Sequence, residues 1–178
     1  MNLVEFALLP FPGETFPEIK ISGSAGREGS VFSINYNITG DLPRIVLPAA
    51  GKAPQRVDGL WEATCLEFFL SPRGRVDYWE FNLSPSGDWN VYRLDSYREG
   101  FRREPSIERL PFKFHRGPDA LGLSLECSLA RVINPDVKVE AAITAVIKTA
   151  DGKLSYWALK HPAGKPDFHH RESFVIEL

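Results

Sequence analysis

Acidic, basic and aromatic side chains concentrate between Gly59 and Gly100, a stretch that holds three of the four tryptophans. Two segments in it alternate apolar and polar residues with the period of a half-buried strand, which places Glu67 and Glu80 on polar faces. Turns containing Pro and Gly follow each segment, which predicts a three-stranded antiparallel meander. We expect Glu67 opposite Glu80, and Arg93 opposite Glu80 from the third strand. The cation would relieve the repulsion between the two carboxylates.

The side chains around this row favour a polyhydroxylated ligand. Aromatic rings stack on the C–H faces of a sugar, while carboxylates, a carboxamide and a guanidinium pair with its hydroxyls. Trp61 ends a Pro- and Gly-rich loop, where a ring can stack on a ligand without filling the core. The predicted ligand-binding residues are Trp61, Glu67, Glu80, Asn82, Trp89, Arg93, Arg98, Trp157 and His161. Ordinary charge pairing on a solvated face is the alternative interpretation, because exposed ion pairs contribute little stability.

Period-2 alternation recurs along the rest of the chain and predicts further strands. They cover residues 2–9, 18–22, 31–39, 110–115, 122–129, 137–150, 154–160 and 173–178. Roughly ten short strands with frequent Pro and Gly turns predict a single all-β domain over residues 1–178. We expect an antiparallel β-sandwich of jelly-roll or immunoglobulin-like type. Segments 40–58 and 96–111 are predicted loops, and loops of this length are often functional.

Composition narrows the classes of partner. A net charge of −2 and a pI of about 6.1 give no electrostatic footprint for nucleic acid or an anionic membrane. The first ten residues lack a basic segment and a cleavage site, and no window approaches a membrane span. We therefore expect a cytoplasmic protein. Cys65 and Cys127 are predicted to be free thiols, which suits a reducing compartment.

Five short motifs are spread over most of the chain. They are Trp61-Glu-x-Thr-x-x-Glu67-Phe-Phe, Tyr78-x-Glu-Phe-Asn82-x-Ser-Pro-x-Gly87-x-Trp89, Tyr97-Arg-x-Gly100, Tyr156-Trp-x-Leu and Pro166-Asp-Phe-His-His-Arg171. The set closely resembles bacterial DOMON-like proteins, which are in turn similar to the family-nine carbohydrate-binding modules. The resemblance implies a β-sandwich binding module from a group whose members bind sugars or haem. It also implies a sugar held between two tryptophan rings: Trp61 matches the first, and Trp89 and Trp157 are both candidates for the second.

The loop near the C-terminus offers a different chemistry. Its candidate metal ligands are His161, Asp167, His169 and His170, which could hold zinc or a similar ion. The alternative interpretation is an ion pair between Asp167 and Arg171 that fixes the loop, with His169 and His170 on opposite sides of an extended chain. The resemblance also leaves structural calcium open. No other cofactor is expected, because haem would need histidine ligands alone, Met1 being the only methionine.

Catalysis is the third hypothesis for the same residues. Glu67 and Glu80 could form a glycosidase pair, although adjacent strands would hold them closer than a sugar normally demands. Nothing separates their environments into one acid and one nucleophile. The sequence therefore predicts a non-catalytic module for a carbohydrate or sugar-like small molecule, without nucleic-acid or membrane partners. A protein-interaction module that uses exposed sheet edges is the main alternative, followed by a haem-binding domain or a glycoside-active enzyme.

Overall fold

The computed structural model describes residues 1–13 and 17–178, and within them it contains twelve β-strands. They are β1 Leu3–Pro10, β2 Ile19–Glu28, β3 Val31–Gly40, β4 Cys65–Pro72, β5 Tyr78–Leu83, β6 Trp89–Leu94, β7 Arg102–Arg103, β8 Phe112–Arg116, β9 Ala120–Ser128, β10 Val139–Lys148, β11 Leu154–Ala158 and β12 Ile176–Glu177. The helical segments described are single 3-10 turns at Leu42–Arg44, Leu60–Glu62 and Arg171–Ser173. The predicted all-β class is confirmed.

The strands form two antiparallel layers that are joined by β1. The first layer has the order β1-β2-β3-β9-β8, and the second has the order β7-β6-β5-β4-β10-β11, with β12 also beside β10. β1 pairs with β2 from Leu3 to Leu8 and with β11 at Leu9 and Pro10, so one strand belongs to both layers. The curled sheet is the predicted antiparallel β-sandwich.

The core lies between the layers and is built from the apolar half of each alternating strand. β3 contributes Phe32 and its period-2 neighbours, and β4 and β5 contribute Phe68 and Phe81 with theirs. Phe68 stacks on Phe81 with ring centroids 4.4 Å apart and on Phe32 across the sandwich at 4.8 Å. The predicted inward faces of these three strands are confirmed.

The meander β4-β5-β6 is also confirmed, but its predicted register is wrong. Glu67 lies opposite Asn82, while Glu80 lies opposite Phe69 on one side and Tyr92 on the other. The first connection spans residues 73–77 instead of a two-residue turn, and the resulting two-residue shift keeps Glu67 and Glu80 on the same face.

The second connection closes between Ser84 and Asp88 as a three-residue loop, with Gly87 in the left-handed region at φ 95°. A three-residue loop moves the register by one position relative to a two-residue turn. Arg93 therefore pairs with Trp79 and lies on the inner face of the sheet. A single-residue shift of this kind turns every side chain of a strand to the other face.

No helix in the described ranges is long and apolar enough to cross a membrane. Cys65 and Cys127 are free, as predicted.

Candidate functional site

The outer face of β4 and β5 is buried as completely as their inner face. Every residue of β4 and β5 is buried, although half of them point away from the core. The cover on the outer face comes from loops, whose side chains form a second apolar cluster with the sheet. Its buried members are Phe69, Tyr78, Tyr92, Leu94, Ala142, Val146, Ala158, Phe168 and Phe174.

Asp58 fixes the loop that carries Trp61. Its carboxylate accepts hydrogen bonds from Nε and Nη2 of Arg103 at 2.9 and 2.6 Å and from the Tyr92 hydroxyl at 2.7 Å. The Arg103 bonds, and then the Tyr92 bond, lower the pKa of Asp58 to about 2. Gly59 follows in the left-handed region at φ 74° and starts the 3-10 turn Leu60–Glu62. The loop thus holds Trp61 beside the sheet.

Three aromatic rings pack together at one side of the site, where Trp61 and Phe101 line it and Tyr92 supports them. Tyr92 and Phe101 stack with centroids 4.3 Å apart, and Trp61 meets both edge-on, at 5.9 and 6.3 Å. Trp61 retains 36% of its surface exposed, so it is not a core residue. A ring in this position can stack on a ligand from its open side.

The carboxyl groups of Glu67 and Glu80 form the floor of the site. Both residues are almost fully buried, with 2% and 4% of their surface exposed. Asn82 donates a hydrogen bond to Oε1 of Glu80 at 2.8 Å, while Oε2 of Glu80 and Oε1 of Glu67 have no hydrogen-bond partner among the described residues. Burial raises the pKa of Glu80 to about 7, and burial together with the neighbouring Glu80 raises the pKa of Glu67 well above its usual value.

His169 lies beside this pair of carboxyl groups. Its Nε2 is 3.8 Å from Oε2 of Glu80, beyond hydrogen-bond distance, and its Nδ1 is 2.9 Å from the Tyr78 hydroxyl. Burial, and then the nearby Arg98, lower the pKa of His169 to about 4, so the ring is neutral at neutral pH. His169 therefore brings no positive charge to the carboxyl groups.

Arg98 is held in an unusual backbone conformation at the edge of the site. Its φ of 56° lies in the left-handed region, which costs a non-glycine residue energy and is often found at functional sites. Its backbone N–H donates to the Tyr78 hydroxyl at 3.2 Å, and its Nη2 donates to Asp167 at 2.9 Å. Tyr97 also donates to Asp167, at 2.6 Å. Against burial, which would raise it, these two side chains lower the pKa of Asp167.

These elements enclose a cavity of about 610 Å³. It is lined by Trp61, Glu62, Glu67, Phe69, Glu80, Leu94, Arg98, Phe101, Val146, Leu154, Tyr156, Pro166, Phe168 and His169. Four of the predicted ligand-binding residues are therefore brought together: Trp61, Glu67, Glu80 and Arg98. Asn82 is not in the lining, but its side chain donates a hydrogen bond to Glu80.

Four other predicted ligand-binding residues lie away from this cavity. Trp89 and Trp157 are buried in the core between the layers, because their strand positions alternate with the outward-facing ones. Arg93 faces the same way, over the Trp79 ring at 5.2 Å and 3.3 Å from Asp77. His161 is outside, with Nε2 2.8 Å from the carbonyl of Leu9.

The predicted metal ligands do not converge. Within residues 1–13 and 17–178, no three His, Cys, Asp or Glu side chains are placed to hold a metal ion. His161 turns to Leu9, Asp167 to Arg98, His169 into the cavity, and the His170 ring accepts a hydrogen bond from the Glu172 N–H. The expected pair of Asp167 with Arg171 is also wrong, since Arg171 binds Glu140.

Sequence reasoning missed most of the aromatic lining. Tyr156 and Phe168 stand within the motifs quoted above, and that was the available signal for them. Phe101 follows the Tyr97-Arg-x-Gly100 motif, but its place against Tyr92 depends on how the loop from 95 to 101 folds back. No local pattern encodes that return.

The chain matches no protein-family model and no curated protein in sequence. Its fold is similar to solved structures. A "putative carbohydrate-binding protein" from Bacteroides uniformis superposes with a TM-score of 0.71 over 97% of this chain and 84% of that one, at 14% identity.

A family 9 carbohydrate-binding module from Caldicellulosiruptor kristjanssonii is a second similar structure. In its complex with glucose it gives a TM-score of 0.52 over 84% of this chain and 71% of the module, at 12% identity. In its complex with cellotriose the TM-score is 0.55 over 92% and 75%, at 13% identity. At such low identities the likeness is one of fold: this chain has a β-sandwich of the kind these modules have.

Proposed function

We propose that this protein is a non-catalytic binding module of the DOMON-like type, and that its cavity binds a carbohydrate or sugar-like small molecule. One observation carries the proposal: the partly exposed Trp61 lines the same cavity as two buried carboxyl groups that each keep an oxygen without a partner among the described residues. A cavity of about 610 Å³ is within the usual range for small-molecule sites.

The chemistry of the lining suits a sugar. Its C–H face would stack on Trp61, and its hydroxyls would donate to the one oxygen each of Glu67 and Glu80 that has no donor among the described residues. Arg98 adds donors at the edge, because its side chain is half exposed while it pairs with Asp167. The names of the structural neighbours, a carbohydrate-binding protein and sugar-bound modules, support the same ligand class.

The titration of the carboxyl pair supports a non-catalytic role. A glycosidase needs one of its two carboxyl groups ionised, as nucleophile or base. Burial raises the pKa of both Glu67 and Glu80 and so disfavours the ionised form of each. The proposed module is cytoplasmic and binds neither nucleic acid nor membranes. The net charge of −2 favours the absence of these two partners.

Isothermal titration calorimetry with glucose, galactose, xylose, cellobiose and cellotriose tests the proposal. We expect binding by the wild type and a loss of about 1 to 3 kcal/mol in Trp61→Ala, the scale of an aromatic anchor. The melting temperature of Trp61→Ala should stay nearly unchanged because the ring is partly exposed. Trp89→Phe, which alters a tryptophan of the core, should keep wild-type affinity.

Two results would contradict the proposal. If Trp61→Ala loses about 3 to 5 kcal/mol of stability, as a core tryptophan would, and affinity per folded molecule is unchanged, the site is wrong. If the wild type binds no sugar and captures a stoichiometric protein partner, the interaction-module alternative replaces it.

A further inference from the structure

Five carboxylate residues are buried among those described: Glu67, Asp77, Glu80, Glu104 and Asp167. Three of them have donors from the protein. Asp77 binds Arg75 at 2.7 Å and Arg93 at 3.3 Å, and Asp167 binds Arg98 at 2.9 Å. Glu104 accepts from Nε1 of Trp79 and from the backbone of Ser106, both at 2.9 Å. Pairing of this kind is the rule for buried acids.

Glu67 and Glu80 are exceptions to this rule, and both line the same cavity. In the described part of the chain neither residue has a charged ion-pair partner, since His169, 3.8 Å from Glu80, is neutral. Burial raises the pKa of Glu80 and the charge of Arg98 partly offsets this rise, but the Arg98 guanidinium is paired with Asp167. Each keeps one buried oxygen without a hydrogen bond, and both residues line the cavity. An unpaired buried carboxylate is costly, so without a ligand burial favours the neutral form of both groups. A cation that entered the cavity would stabilise their ionised form.

The rest of the lining does not supply the missing charge. Glu62 adds a third carboxylate, and the guanidinium of Arg98 is already paired with Asp167. The rings of Trp61 and Phe101 in the lining favour a cation as well, because ring faces attract positive charge. Acidic side chains therefore outnumber unpaired basic ones in the lining, and one oxygen each of Glu67 and Glu80 has no donor among the described residues.

We infer that the preferred ligand carries a protonated amine, so that the module selects amino sugars, with the ammonium group bound by Glu67 and Glu80 and the ring stacked on Trp61. The inference rests on the proposed carbohydrate-binding function. An ammonium group offers three donors and no acceptor, whereas a hydroxyl offers one donor and must itself be satisfied. A charged donor also binds a carboxylate more strongly than a neutral one.

Matched sugars test this inference on the full chain. Calorimetry should compare glucosamine with glucose and N-acetylglucosamine, and galactosamine with galactose and N-acetylgalactosamine, because each trio differs only in the group at C2. We expect at least one amine to bind about tenfold or more tightly than its parent sugar. The N-acetyl form should gain nothing over the parent, because acetylation removes the charge.

The double variant Glu67→Gln, Glu80→Gln keeps the side-chain shape and removes the charge. It should bring the affinity ratio of amine to parent sugar close to one. Glu108→Gln removes a carboxylate from the exposed surface, where it pairs with Arg131, and should leave the ratio unchanged. Circular dichroism and a thermal melt establish that each variant is folded.

The outcomes separate this inference from the proposed function. Parent sugars that bind as tightly as their amines overturn the amine preference and leave carbohydrate binding intact. An amine preference that survives in the double variant overturns the role of Glu67 and Glu80. A wild type that binds neither amines nor parent sugars overturns both.

Discussion

The two faces of the β4-β5-β6 meander are both largely buried, but they have different roles. The inner face packs in the core, and the outer face borders a cavity. On the inner face Phe68 and Phe81 stack against the opposite layer, which covers them with another continuous sheet. On the outer face Glu67 and Glu80 are covered by loops, which arch over the sheet and leave a cavity of about 610 Å³. Burial alone therefore does not identify a core: what covers a face decides whether it is filled or left open to a ligand.

The largest predicted effect is on the inner face. Phe81→Ala should lower the free energy of unfolding by about 3 to 5 kcal/mol, because it removes the ring stacked at 4.4 Å on Phe68 and leaves a cavity. Urea denaturation measures this loss. A midpoint within error of the wild type would mean that the faces of β5 are reversed. Phe81 would then not be the core residue of this strand.

A smaller effect of opposite sign is predicted on the outer face. Folding raises the pKa of Glu80 from 4.5 to about 7, so between these values the folded state binds more protons than the unfolded state. Stability should therefore fall as pH rises from about 4.5 to above 7. Glu80→Gln should flatten this fall and stabilise the protein by about 1 to 3 kcal/mol near pH 8, since one pKa unit corresponds to about 1.4 kcal/mol.

Melts of wild type and Glu80→Gln across this pH range measure the effect. Glu108→Gln is the matched control, because that carboxylate is exposed. Destabilisation of Glu80→Gln near pH 8 would show that the carboxylate is paired in solution.

The smallest predicted effect separates Arg93 from Arg98. Arg93→Met should cost less than about 1 kcal/mol, because the arginine is partly exposed and Asp77 keeps its bonds to Arg75. It should also leave sugar affinity within twofold of wild type, whereas Arg98→Met should weaken binding. Equal losses of affinity in both variants, measured by calorimetry, would show that Arg93 contributes to ligand binding as much as Arg98 does.

Alternation predicted the faces of β4 and β5 correctly, because period 2 does not depend on the partner strand. It failed for Arg93, since the length of one turn decides the face that β6 presents. Glu67 and Glu80 kept their common face through a shift of two residues, which preserves parity. The alternation that marks Glu80 as outward cannot reveal that loops bury it.

The cavity itself could not be predicted from the sequence, for a related reason. Its wall depends on Asp58 meeting Arg103, and its edge on Arg98 meeting Asp167. Both contacts join segments far apart along the chain. Four predicted residues do line the cavity. Glu67 and Glu80 came from strand alternation, and Trp61 and Arg98 from residue type and neighbouring turns, all of which are local properties.

The double membership of β1 has a consequence for the order in which the chain can fold. β1 finds β2 immediately, but its second partner, β11, pairs Ala158 with Leu9 near the other end of the chain. Closing so long a segment is slow because its entropy is lost before the contact forms. During synthesis, the Leu9 end of β1 stays an unpaired edge until β11 has been made.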